Sequence, residues 1–152
     1  MQQTMQQQRA AYALNKVKTA STNPTINQKE YKSYASQLPA MIHTNGLGQA
    51  VAFFRSKGAF HKNERDRSNK ERAYCLLYMT LSDWLCSNGT TLKPMPQQPF
   101  SRFDDVLDAI TQSNMRDYRL AQAEAQMLMD WIKKFAKAYM TDEASTQGES
   151  TP

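Results

Sequence analysis

Few side chains in this sequence have the type and spacing that catalysis needs. The two histidines, His43 and His61, stand 18 positions apart, and neither has a Cys, His or carboxylate at zinc-ligand spacing. No metal is expected. Asp104, Asp105 and Asp108 form the one dense acidic group. Their plain reading is a helix start, where carboxylates suit the positive end of the helix dipole. The chemical alternative is a stand-alone metal-dependent nuclease using those three carboxylates, although further ligands for a divalent ion are not in sight. Cys75 has no histidine nearby in sequence to act as its base and reads as a small core or interface residue. Gly46-Leu-Gly48 lacks the preceding strand, the third glycine and the Lys-Ser/Thr of a phosphate loop, so both glycines are expected to serve a sharp turn. These readings call for no catalytic residue and no cofactor.

Binding is a different matter. Between Arg55 and Arg72 lie seven cations, Arg55, Lys57, Lys62, Arg65, Arg67, Lys70 and Arg72, against Glu64, Asp66 and Glu71. Several cations on one accessible turn are what phosphate contact requires. A solvated surface with internal Glu–Arg pairs would have the same composition. Arg9, Lys16 and Lys18 form a smaller second group, in which Lys16 and Lys18 point about 200° apart if helical. Through Arg72 the chain carries 12 Lys/Arg against 4 Asp/Glu, and after it 7 against 10, so a basic half precedes a slightly acidic one. That asymmetry suits one face toward a polyanion and another toward protein neighbours.

The elements that must position these residues are helical. Apolar residues recur at steps of three and four: Ala10, Ala13, Leu14, Val17 and Ala20, then Tyr31, Tyr34, Leu38 and Ile42, then Leu47, Ala50, Val51 and Phe54. The first helix is expected from about Gln7 to Ala20. The second follows an Asn27 cap, with a kink or break at Pro39, and the third stops at Gly58. Ser68 and Glu71 form a capping box for a fourth helix burying Ala73, Leu76, Leu77, Thr80, Leu81 and Trp84. A proline-rich crossover spans Thr90 to Phe100. Ser101 is read as the cap of a short fifth helix with Val106, Leu107 and Ile110 inward. Asn114 caps the longest helix, whose seam is Tyr118, Ala121, Ala125, Leu128, Ile132, Phe135 and Tyr139. Met41, Phe53, Met127, Met129, Trp131 and Met140 fall off these seams. Part of that surplus, Met127 and Trp131 foremost, is expected to face another protein chain.

The expected fold is therefore all-α, a single-domain bundle of about six helices with one long C-terminal helix. A flexible segment over residues 1–8 and a flexible polar tail over 141–152 flank a helical-bundle domain over 9–140. Cys75 and Cys86, eleven apart in one helix, are separated by about 16 Å of rise and cannot pair. Reduced thiols, no signal core and no long apolar run make a cytoplasmic protein the expectation.

The run from Tyr34 to Gly58 also closely resembles the small helical subunit of the type III-B (Cmr) CRISPR RNA-guided effector complex. In that family a Leu-Pro-x-x-Ile segment, here Leu38 to Ile42, precedes Asn-Gly-Leu-Gly-Gln, here Asn45 to Gln49. An aromatic-rich helix then ends in Ser-Lys-Gly, here Ser56 to Gly58. Arg9-Ala-Ala-Tyr-Ala13 resembles the family's opening helix. Arg119 to Ala125 and Trp131 to Ala136 resemble its closing one. The resemblance implies a non-catalytic subunit, several copies of which stack along the complex backbone, touching one another and the large subunit. It implies guide RNA and target RNA as partners through the assembled complex, with positive charge lent to the duplex channel. A protein-only adaptor remains the other alternative, and salt-dependent RNA affinity separates the two.

Overall fold

In the computed structural model, residues 3–86 and 100–141 are described. They form helices α1 (Met5–Thr22), α2 (Gln28–Asn45), α3 (Leu47–Lys57), α4 (Asn69–Leu85), α5 (Val106–Gln112) and α6 (Met115–Tyr139), with a 3₁₀ turn over Glu64–Asp66. No strand forms among these residues; one isolated parallel bridge joins Cys86 to Phe100. The fold is the all-α bundle expected. The crossover over 90–99 and the tail over 142–152 lie outside the described residues.

Local chemistry sets most boundaries. Asn27 accepts from Glu30 N–H, the Ser68–Glu71 capping box closes in both directions, and Asn114 accepts from Asp117 N–H. Each takes up a backbone donor that the helix leaves orphaned. Two starts differ from expectation. Thr4 and Gln7 form a capping box, so α1 begins at Met5 and reaches into the segment expected to be flexible. α5 is capped by Asp105, not Ser101, because Asp105 accepts from Leu107 N–H while also receiving the Tyr78 hydroxyl. Nor does Pro39 break α2, which runs from Gln28 to Asn45 with Pro39 buried. Leu38 and Ile42 are fully enclosed beside it, and that packing offsets the roughly 3 kcal/mol a mid-helix proline costs.

α6 is the organising rod, packed along α1 and α2 and touching α4. Its buried residues are Ala121, Glu124, Ala125, Leu128, Met129, Ile132 and Ala136. The expected seam advances every 3.5 residues, whereas the helix turns every 3.6, so a strict heptad stripe drifts by about 20° per heptad. Ala121, Ala125, Leu128 and Ile132 hold to the seam, but Tyr139, the last helical residue, is 49% exposed, while Met129 and the extended C-cap residue Met140 are buried. Those two methionines are therefore core residues, while Met41 and Phe53 pack half-buried against the core.

One polar cluster sits within the core. Arg9 donates to both carboxylate oxygens of Glu124, at 2.6 and 2.8 Å, and Trp84 Nε1–H donates to Glu124 at 2.8 Å. It ties α1, α4 and α6 together at one point, and the Tyr12 hydroxyl adds a bond to the Thr80 carbonyl.

Candidate nucleic-acid interface

The connection from α3 to α4 carries the basic segment, and a close approach builds it. A Cβ on Gly58 would lie 2.8 Å from the Phe60 ring and 3.1 Å from Cys75 Cα, so only glycine lets α3 end this near α4. Ala59 follows at φ 51°, turning the chain so that Phe60 packs edge-on against Tyr78. The Arg55 guanidinium lies 4.0 Å from the Phe60 ring centre, and that of Arg67 lies 5.7 Å from it. Cations over an aromatic face are held by its quadrupole.

The seven cations then divide. Four are engaged by the fold. Arg55 reaches Asp105 at 3.4 Å, and Lys62 is paired with Glu71 at 3.0 Å. Arg67 Nε donates to the Ala59 carbonyl, and Arg72 Nη2 donates to the carbonyls of Glu64 and Arg65. Lys57, Arg65 and Lys70 are exposed, Lys57 with its ammonium 5.5 Å from the Phe53 ring centre. Arg65 sits 3.8 Å from Asp66, a pair too open to water to hold it. Glu71 is kept below the usual carboxylate range by the Ser68 backbone N–H first and by Lys62 second. His61 is exposed in the same turn, and His43 is exposed in the last turn of α2.

The smaller basic group does not survive as a group. Arg9 is buried and bound bidentately to Glu124, so its charge is spent inside the bundle; it is not available to a polyanion. Lys16 lies 5.3 Å from the Tyr12 ring, and Lys18 lies 5.5 Å from the ring of Tyr139 at the end of α6.

The other candidates have structural partners. Leu47 N–H donates to Gln122 Oε1 and Gly48 N–H to the Tyr118 hydroxyl, so α6 takes the donors that a phosphate would need at the start of α3. Asp105 accepts from Tyr78, Arg55 and its own helix, whereas Asp104 and Asp108 are exposed. Among the described residues no group of three or more His, Cys, Asp or Glu stands close enough to hold a metal ion. Both cysteines are reduced thiols; burial raises Cys75 above its ordinary value against the pull of Arg67, and pushes Cys86 up to about 12. Met127 is 43% exposed and Trp131 half-buried, stacked on Phe135. They line a hollow of about 440 Å³ with Gln6, Arg9, Asp130 and Lys134. Sequence reasoning missed Leu120 on the same flank of α6, 48% exposed, although it stands one heptad before Met127. It also missed that Asn23 and Cys75 meet Arg67 and Arg72 around one notch. Residues this far apart in sequence give no spacing signal.

Two comparisons with known proteins bear on this geometry. The family model described as CRISPR-associated protein (Cas_Cmr5) matches residues 5–139. A solved X-ray structure of a CRISPR-associated Cmr5 family protein from Thermus thermophilus shares the fold at TM-score 0.65 and 22% identity, over 92% of this chain and 100% of that one. With nearly the whole helical body inside the family model, the chain belongs to the CRISPR-associated Cmr5 family, the small subunit of the type III-B (Cmr) effector complex.

Proposed function

We propose that the chain is a non-catalytic structural subunit that stacks along the guide RNA–target duplex in a cytoplasmic assembly and lends it a basic surface. Family membership over residues 5–139 carries this reading. The exposure of Lys57 at the end of α3, Arg65 in the connection and Lys70 at the start of α4 supports it. A guide complex accepts any spacer sequence, so such a subunit reads phosphate and duplex shape, not bases. The Met127–Trp131 flank, with Leu120, would meet sister copies or the large subunit, and assembly would supply the avidity that one copy lacks.

The test is a salt series on the assembled complex carrying Lys57→Ala, Arg65→Ala and Lys70→Ala together. The slope of log affinity against log salt should become shallower by roughly 0.7 for each phosphate no longer neutralised, about 2 in all. The weakening should be equal for unrelated RNA sequences, and melting should be unchanged. An unchanged slope removes the assignment. Purified protein with labelled RNA, DNA or ATP and Mg²⁺ or Mn²⁺ should give no turnover that Asp104→Asn or Asp108→Asn abolishes. Such turnover would restore the nuclease alternative. Asp105 is left intact there, because it caps α5 and receives Tyr78.

A further inference from the structure

Beside the basic turn, the α1–α2 connection and the start of α4 enclose a notch of about 380 Å³. Arg67 and Arg72 line it together with Asn23, Cys75, Phe60 and Glu64. Both guanidiniums are fixed in place by the backbone carbonyls they hold, Ala59 for Arg67 and Glu64 and Arg65 for Arg72. Yet neither is paired with a carboxylate among the described residues, where the ion pairs of the basic turn fall on Arg55, Lys62 and Arg65. The Arg72 Nε–H is buried and has no acceptor among those residues. A buried donor on a charged group costs stability unless an acceptor reaches it. Asn23 spends its side-chain oxygen on the Thr25 N–H and hydroxyl, which leaves its amide nitrogen as a donor. The notch therefore offers donors and positive charge beside an apolar wall of Ile26, Leu76 and Met79, with Glu64 as the opposing carboxylate.

We propose that this notch is a socket for one phosphate oxyanion, a backbone phosphate of an RNA strand, gripped by Arg67, Arg72 and Asn23. Pre-oriented guanidinium planes match phosphate oxygens with paired bonds. The exposed Arg65 of the connection, with Lys57 and Lys70 at the helix ends that flank it, extends the attraction to neighbouring phosphates, which favours a polynucleotide over a free ion. The socket deepens the RNA-contacting role proposed above and rests on it.

Cys75 supplies the reporter. It lines the notch half-buried, while Cys86 is fully enclosed. The protein, free and in its assembled complex, is treated with iodoacetamide alone, with a mixed-sequence single-stranded RNA, or with inorganic phosphate, and alkylation of the Cys75 peptide is followed by mass. RNA should slow Cys75 alkylation by about tenfold when the socket is filled, as an occupied site hides its lining. Arg67→Lys with Arg72→Lys keeps the charge and removes the planar forks; protection should fall to about twofold or less. Asn23→Ala should weaken protection, and Glu64→Gln should strengthen it by about twofold, since it removes the one opposing charge. RNA that binds by mobility shift yet leaves Cys75 alkylation unchanged overturns the socket while sparing the broader RNA reading. Protection by inorganic phosphate without protection by RNA overturns the RNA assignment. Absence of RNA binding even in the assembled complex sinks both.

Discussion

Glu124→Ala should be among the most damaging single substitutions in this protein, lowering stability by about 3–5 kcal/mol. That corresponds to a fall in melting temperature of roughly 10–15 °C for a domain of this size. The carboxylate is 4% exposed and accepts two bonds from Arg9 and one from Trp84. Removing it strands a guanidinium in the core and takes away the acceptor of the indole N–H. Burying an unpaired charge costs far more than the net worth of the pair, because desolvation is then uncompensated. The distinction is measurable. Arg9→Met with Glu124→Leu removes both charges at similar volume and should recover most of the loss in thermal melting. A double variant as unstable as Glu124→Ala would mean that the pair itself, and not the stranded charge, sets the cost.

That same pair marks the limit of what the sequence discloses. Composition places Arg9 with Lys16 and Lys18 in a small basic group, because it counts charge without knowing what the charge meets. The partner lies 115 positions away. A signal is nonetheless present in α6, where Glu124 interrupts the small apolar stripe of Ala121, Ala125 and Leu128. A carboxylate on a face that must be buried implies a cation brought to it. Arg9 precedes Tyr12 and Ala13 by three and four positions, on the buried face of α1.

Elsewhere the outcome follows how local the deciding interaction is. The caps at Asn27, Ser68 and Asn114 bond within three residues, and each is legible. The α5 start is not, since Ser101 and Asp105 are both competent caps. The choice falls to Tyr78 holding Asp105 and to Ser82 accepting from Val106 N–H. The basic turn is legible as a charge density. Which cations stay exposed is not, because Phe60, Asp105, Glu71 and three backbone carbonyls decide that in space.

The two glycines of the α2–α3 turn should respond differently to alanine, although the sequence alone predicts a loss of stability at both. Only Gly46 has a backbone that alanine resists, at φ 90° and ψ 160°, a region open almost solely to glycine. It ends α2 by donating to the Ile42 carbonyl and opens α3 by accepting from Ala50 N–H, so the strain cannot be relaxed without loosening a helix end. Gly46→Ala should cost about 1–3 kcal/mol. Gly48 lies inside α3, where alanine is favoured over glycine by about 0.5–1 kcal/mol. Its new Cβ would stand 3.4 Å from the Tyr118 oxygen and 3.5 Å from Ile110, close but not overlapping. These terms oppose, and Gly48→Ala should fall within about 0.5 kcal/mol of the parent. Denaturant unfolding of the two variants checks the contrast. Equal losses would mean that the Tyr118 contact, and not the backbone angle, governs the turn. If instead RNA affinity fell while stability held in both, the turn would bind ligand and the structural reading of its glycines would be wrong.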